Sequence, residues 1–224
     1  MVTILGFCYP FAMQPLLVNL YGSGLVGMIL AFMPLLTLII GRVILKTKIT
    51  IRQVIGITGG LFFTFLLFKA SLNLNVSVFG FFMILTVPIA YTFSNILIKR
   101  DFHHLNPVAF TATCALISGL ITLPFAYANF TFHHAEHFLQ STVSIVVLGV
   151  LMSGVALALF YHVIQKSGPL LASLTNYIVP IFALFWGWFD GEETTPLQFI
   201  GILGIFVMIY ITQPMAIKPK DIHK

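Results

Sequence analysis

The chain has 224 residues, of which 59% are hydrophobic and only 8% are charged. A soluble globular domain has about 25% charged residues, so the composition excludes a water-soluble protein and predicts a chain surrounded by the lipid bilayer. The net charge of +5 does not indicate a nucleic-acid partner, because the basic residues do not gather on one soluble face.

Long apolar segments follow one another along the chain, separated by short polar or Gly/Pro-containing turns. A helix needs about 20 apolar residues to cross a bilayer, whereas a barrel strand needs about 10 residues of alternating character. The pattern therefore predicts an all-α integral membrane protein with about eight transmembrane helices. The predicted spans are Val2–Leu20, Leu25–Leu45, Ile51–Ala70, Val78–Ile98, Pro107–Ala128, Val143–Ile164, Leu170–Phe189 and Leu197–Thr212.

The basic residues predict how these spans are oriented. Ten of the eleven Lys and Arg residues lie on the side of the membrane where the second, fourth, sixth and eighth spans end, and only Lys69 lies on the other side. Four of the six acidic residues, among them Asp190 and Glu193, share the side of Lys69. Because basic loops remain in the cytoplasm, we expect a multi-pass plasma-membrane protein with both termini cytoplasmic.

One passage occurs twice with its charge reversed. The segments 50–56 and 195–201 both read Thr-x-x-Gln-x-Ile-Gly, and the loop before the first is basic while the loop before the second is acidic. The similarity extends on both sides of these segments, with one single-residue gap. The aligned pairs include Gly22 with Gly168, Pro34 with Pro180, Gly41 with Gly187, and Gly59 with Gly204.

The two loops are separated by five predicted crossings, so they face opposite sides of the membrane. This explains the reversed charge, since the inner copy is basic and the outer copy is acidic. Inverted-topology repeats of this kind are a common plan of secondary transporters, in which the substrate site lies near the middle of the membrane between the repeats.

The passages "YTFSNILIKR", "SGVALALFYHVIQKSGPLLASLTNYIVPIFALFWG" and "GEETTPLQFIGILGI" resemble the drug/metabolite transporter superfamily, specifically the EamA-domain transporters. The resemblance extends from about Val2 to Gln213 and implies two five-helix repeats around a central cavity. It implies that residues 1–70 are a first repeat of only three helices, lacking the first two helices of the family. Residues 77–214 are then a complete second repeat, and residues 215–224 a cytoplasmic tail.

The resemblance implies a transporter that moves small metabolites, amino-acid-like or nucleoside-like solutes, by alternating access. The alternative is a truncated, non-transporting membrane subunit or remnant of such a transporter. The expected partners are lipid, a small-molecule solute, and either a second copy in a homodimer or a protein that supplies the missing helices. The spans contain no paired catalytic groups, so no enzyme, cofactor or metal is predicted.

Polar side chains inside the spans are the candidate cavity residues, because such groups are costly in hydrocarbon. Tyr91 and Asn95, for example, are four residues apart and share a helix face. For Asn95, Asn176 and Tyr177 the alternative role is a hydrogen bond between helices. For Gln14 it is to satisfy the kink between Pro10 and Pro15, and for His162 it is an interfacial position. Pro34 and Pro180 are predicted kinks or hinges. The substrate-binding candidates are Gln14, Tyr91, Asn95, Tyr161, His162, Asn176 and Tyr177.

Overall fold

The computed structural model describes residues 1–68, 77–128, 138–179, 181–182 and 196–212, in which the regular structure is entirely helical. Residues 175–179 and 181–182 are also helical. The helices are α1 (Tyr9–Tyr21, preceded by a π-helical turn at Ile4–Cys8), α2 (Ser23–Leu30), α3 (Met33–Ile44), α4 (Ile51–Phe68), α5 (Val78–Asp101), α6 (Pro107–Ala128), α7 (Phe138–Val147, continued by π-helix Leu148–Val155), α8 (Ala156–Ser167), α9 (Pro169–Ser173) and α10 (Pro196–Thr212).

The described helices form apolar segments at all eight predicted spans. Five are long and apolar enough to cross a membrane, and three shorter apolar helices occupy the positions of the third, seventh and eighth spans. The prediction of an all-α integral membrane protein is confirmed. The long segments are Ile4–Tyr21, Leu25–Ile44, Val78–Asp101, Pro107–Pro124 and Thr142–Ser167, and the shorter ones are Ile51–Leu66, Pro169–Val179 and Pro196–Thr212.

The first helix packs between α5 and α6, and its contacts fix the relative directions of all three. Ser94 Oγ of α5 donates to the carbonyl of Val2 over 3.4 Å, and the hydroxyl of Tyr9 is hydrogen-bonded to that of Thr86. Because the later residue of the first helix contacts the earlier residue of α5, the two helices are antiparallel. Against α6, Thr3 donates to Cys114 Sγ and Cys8 bonds to Ser118, so α1 and α6 run the same way. These directions follow the predicted alternation of crossings.

The last helices of the two repeats, α4 and α10, pack against each other through a reciprocal contact. A Cβ atom added to Gly59 would meet the side chain of Met208, and one added to Gly204 would meet the ring of Phe63. Gly59 aligns with Gly204 in the repeat, and continuing the same register aligns Phe63 with Met208. Each helix therefore places its glycine against the large side chain that follows the equivalent glycine of the other helix, so the two contacts are equivalent by the repeat. This is the packing expected of an inverted repeat.

Gly22 and Gly168 occupy the same backbone conformation in the two repeats. Gly22 joins α1 to α2 with φ 84° and ψ 151°, and Gly168 joins α8 to α9 with φ 92° and ψ 161°. This region of backbone space is accessible essentially only to glycine. Both repeats therefore have glycine at this position because the backbone conformation of the junction requires it.

The repeated Thr-x-x-Gln passage forms a capping box at the start of α4. The main-chain N–H of Thr50 donates to Gln53 Oε1 over 3.0 Å, and the N–H of Gln53 donates back to Thr50 Oγ1 over 3.3 Å. A capping box satisfies two donors that the first turn of a helix leaves free. In the second copy, Gln198 is buried near the start of α10, while Thr195 lies outside the described residues.

Pro34 lies just after a break in the second span. The helix is interrupted by a turn at Ala31 and Phe32, and Pro34 stands in the first turn of α3, where its missing N–H costs nothing. Pro180 lies outside the described residues. The predicted role of both prolines as hinges stays a prediction.

Candidate functional site

The helix α5 is the central element of the described structure and contacts α1, α2, α3, α8 and α9. Its middle turn contains Pro88, which is buried and has no N–H to donate to the carbonyl of residue 84. Unpaired backbone groups at membrane depth are characteristic of binding sites in transporters, where discontinuous helices expose them to the substrate. The turn of α5 that follows Pro88 is therefore a candidate substrate-binding region.

Three buried polar side chains, Thr92, Ser94 and Asn95, follow Pro88 within two turns, and two of them lack a hydrogen-bond partner. Thr92 is 0% exposed and Asn95 is 2% exposed, and neither Thr92 Oγ1 nor Asn95 Nδ2 has a hydrogen-bond partner among the described residues. Other threonines in the spans, such as Thr64 and Thr111, donate to a carbonyl of their own helix. Leaving a buried donor without a partner costs about 1–3 kcal/mol, which a bound solute or water could recover.

Tyr91 and Tyr161 lie on either side of this polar turn. Tyr91 packs against the cluster formed by α1, α2 and α5, whereas the buried Tyr161 belongs to the cluster that includes Phe7 and Phe110. Because Tyr161 comes from α8, the arrangement joins two helices of the second repeat.

Gly6 allows α1 to approach this group closely. A Cβ atom at Gly6 would collide with Ser94 Oγ and would lie 3.6 Å from the hydroxyl of Tyr161. The hydroxyls of Ser94 and Tyr161 therefore both lie near Gly6, in the π-helical turn that precedes α1. The candidate site thus combines the amide of Asn95 with hydroxyl groups, and no carboxylate lies among these side chains. It can donate and accept hydrogen bonds but carries no fixed charge.

Gln14 and His162 are placed less centrally. Gln14 is half-buried on α1, directly before Pro15, which lies inside that helix. His162 is exposed, although its neighbour Tyr161 is buried. The structure does not bring His162 together with Asn95 in any described contact.

Asn176 and Tyr177 form hydrogen bonds elsewhere in the protein. Asn176 Nδ2 donates to the carbonyl of Ser173 over 2.9 Å, within its own segment. Tyr177 is 0% exposed and belongs to a cluster with Ala31, Leu174 and Ile205. Neither of these hydrogen bonds involves a residue of α5.

Thr92, Ser94 and the close approach at Gly6 are not among the residues predicted from the sequence. A signal for Thr92 was present, because it lies three residues before Asn95 and so shares its helix face. The importance of Ser94 and Gly6 depends on how α1 docks on α5, which no local pattern specifies.

Comparison with known proteins identifies the family. A family model described as "EamA-like transporter family" matches residues 78–212, from the first residue of α5 to the last residue of α10. The match covers more than half of the chain. The protein belongs to the EamA-like transporter family. The predicted resemblance is confirmed, and the matched range includes Tyr91, Thr92, Asn95 and Tyr161.

Two further similarities extend into the N-terminal part. The uncharacterized transporter YoaV of Bacillus subtilis is 25% identical over 180 residues, covering 80% of this chain and 62% of YoaV. The chain thus matches less than two thirds of the length of this relative. A solved crystal structure of a protein superposes with a TM-score of 0.74 over 94% of this chain and 73% of that one, at 17% identity. At this identity, the superposition shows the shared fold alone.

Proposed function

We propose that this EamA-like protein is a membrane transporter that moves small metabolites, amino-acid-like or nucleoside-like solutes, by alternating access. The observation that carries the proposal is the family match over residues 78–212. The similarity to a transporter of Bacillus subtilis supports it. The proposed setting is the plasma membrane, with both termini in the cytoplasm, supported by the asymmetry of the basic loops.

The substrate binds at the polar turn of α5 in this proposal. The unsatisfied groups of Thr92 and Asn95 provide hydrogen bonds, and the neighbouring Tyr91 provides an aromatic surface. Together they suit a neutral or zwitterionic solute with polar edges and a planar or apolar body. Rocking of one repeat against the other then exposes this turn to each side in succession, as in other inverted-repeat transporters.

Flux measurements in proteoliposomes test the proposal. The purified 224-residue chain is assayed for uptake and efflux of labelled amino acids and nucleosides. We expect saturable flux for at least one solute and a decrease of about tenfold or more in Asn95→Ala, because the site loses its main hydrogen-bonding group. Thr113→Val is the matched control, since Thr113 is exposed on α6 and donates only to Ala109 of its own helix.

Equal flux in Asn95→Ala and Thr113→Val would show that the solute does not bind at Asn95 of α5. Folded protein that transports none of these solutes would contradict the proposal. It would instead support the other interpretation drawn from the sequence, a non-transporting membrane subunit.

A further inference from the structure

A cleft lies outside the α5 site, where the two repeats meet at the basic end of the protein. We call it the basic cleft. It encloses about 190 Å³, well above the roughly 15 Å³ that one water molecule needs. It is bordered by α3, the α3–α4 loop, the start of α4, the α8–α9 junction with α9, and the end of α10. None of its lining residues belongs to α5. Its polar lining residues are Thr37, Thr47, Lys48, Gln53, Ser167 and Thr212.

The cleft contains an unsatisfied buried hydroxyl. Thr37 is 2% exposed, and its Oγ1 has no hydrogen-bond partner among the described residues, although the side chain lines the cleft. Thr212, in contrast, donates to the carbonyl of Met208 and presents only acceptor capacity to the cleft. Because the Thr37 side chain lines the cleft, a group bound there could provide the partner that this buried hydroxyl lacks.

The charges around the cleft favour an anion. Lys48 lines it and forms no ion pair within the described part of the chain, and Arg42 and Lys46 lie nearby in sequence. Asp101, the one carboxylate side chain among the described residues, is held by Arg100 over 2.7 Å. The amide of Gln53 accepts from Thr50 through its oxygen, which leaves its NH₂ group as a donor. The cleft thus has one unpaired positive charge, Lys48, and an amide donor from Gln53, and no described carboxylate lines it.

We propose that the basic cleft binds a phosphate group, supplied either by an anionic lipid headgroup or by a soluble phosphate. Lys48 provides the charge, and the hydroxyl of Thr37 donates to a phosphate oxygen. Basic pockets between transmembrane helices are suited to lipid phosphates. The cleft is distinct from the α5 site, because none of its lining residues belongs to α5.

Equilibrium binding to the purified chain in a neutral detergent tests this site. The probes are radiolabelled inorganic phosphate and short-chain phosphatidylglycerol, with short-chain phosphatidylcholine as the zwitterionic comparison. We expect saturable binding of one phosphate group per chain. Lys48→Gln should weaken it about tenfold, the effect of one charge-assisted hydrogen bond. Arg52→Gln removes the same charge from an exposed position outside the lining, and should weaken it about twofold at most in 0.15 M salt.

A second pair of variants tests the hydroxyl without changing charge. Thr37→Val should weaken binding about threefold or more, and Thr37→Ser should restore it, because serine keeps the donor. Thr64→Val, at another buried threonine, controls for a general loss of stability. Saturation by inorganic phosphate would assign the site to soluble phosphates, and saturation by phosphatidylglycerol alone to lipid.

The proposal would be overturned if neither inorganic phosphate nor phosphatidylglycerol binds saturably. The same holds if phosphatidylcholine binds as tightly as phosphatidylglycerol and phosphate does not bind, or if Lys48→Gln and Arg52→Gln have equal effects. Binding that is unchanged in Thr37→Val would also overturn the role assigned to its hydroxyl.

Discussion

The hydroxyl of Tyr177 donates a 2.8 Å hydrogen bond to the main-chain carbonyl of Ile57, and so joins the second repeat to the first. The tyrosine ring lies against Gly60, where an added Cβ would approach it to 2.7 Å. Tyr177 is fully buried, so its ring and its hydroxyl are both occupied by contacts with α4. This geometry favours a packing role over direct contact with a solute.

Tyr177→Phe should therefore reduce stability without changing solute preference. Hydrogen bonds between transmembrane helices contribute about 0.6 kcal/mol on average and about 1.7 kcal/mol at most, so we expect a loss in that range. Chemical unfolding in detergent measures the loss. A variant with unchanged stability but altered selectivity among transported solutes would place Tyr177 in the cavity instead.

The reciprocal contact between α4 and α10 predicts a paired effect of two substitutions. Gly204→Ala should destabilise the protein by about 1–3 kcal/mol, because the new methyl group meets the ring of Phe63. Adding Phe63→Leu to Gly204→Ala should recover part of this loss. A double-mutant cycle measures the coupling, and purely additive effects of the two changes would contradict the contact.

The two junction glycines predict a contrast with a helical glycine. Gly168→Ala should cost about 1–3 kcal/mol, because φ 92° and ψ 161° is a conformation that alanine rarely adopts. Gly119→Ala is the control. Gly119 lies within α6, and an added Cβ would meet nothing within 4 Å, so alanine there should leave stability equal or higher. Thermal unfolding measures the melting temperature of each variant, and similar values for the two would contradict the predicted difference in stability.

Sequence patterns predicted the helices well because the bilayer imposes a simple length rule. Eight apolar segments of about membrane length could take few other structures. The repeat was also visible in sequence, since Gly59 and Gly204 keep small residues where the two helices touch. These features depend on composition and local order, which a sequence displays directly.

The details of the site depend on tertiary contacts and were less accessible. Asn95 was predicted from its polarity inside a span, but the same argument also selected Tyr177, whose hydroxyl is bonded to α4. Polarity alone does not distinguish a group that another helix satisfies from one left without a partner. The capping box, unlike these tertiary contacts, could have been predicted from the sequence. Its Thr-x-x-Gln signal was present but was interpreted only as evidence of a repeat.

The capping box at the start of α4 predicts a local contribution to stability. Thr50→Ala should cost about 1 kcal/mol, because the N–H of Gln53 loses its acceptor. Thr58→Ala removes a hydroxyl from the same helix, but that hydroxyl donates only to Val54 and Ile55 within the helix, so a smaller change is expected. Chemical unfolding distinguishes the two, and an equal effect of both substitutions would argue against the cap.

The proposed orientation predicts which ends of α5 are reached from outside the cell. Val78 is exposed at the first residue of α5, and His104 is exposed just after its last residue, Asp101. If the basic loops are cytoplasmic, the start of α5 faces outward and its end faces inward. Cysteines are introduced at each position in a variant whose Cys8 and Cys114 are replaced by serine.

A membrane-impermeant maleimide should label Val78→Cys in intact cells, and His104→Cys only after the membrane is permeabilised. A cysteine-free background without either substitution gives the level of nonspecific labelling. The reverse pattern would place both termini outside and move the basic cleft to the outer surface. Cytoplasmic phosphates and inner-leaflet lipids could not reach it there, so labelling also decides which phosphate sources are available to Lys48.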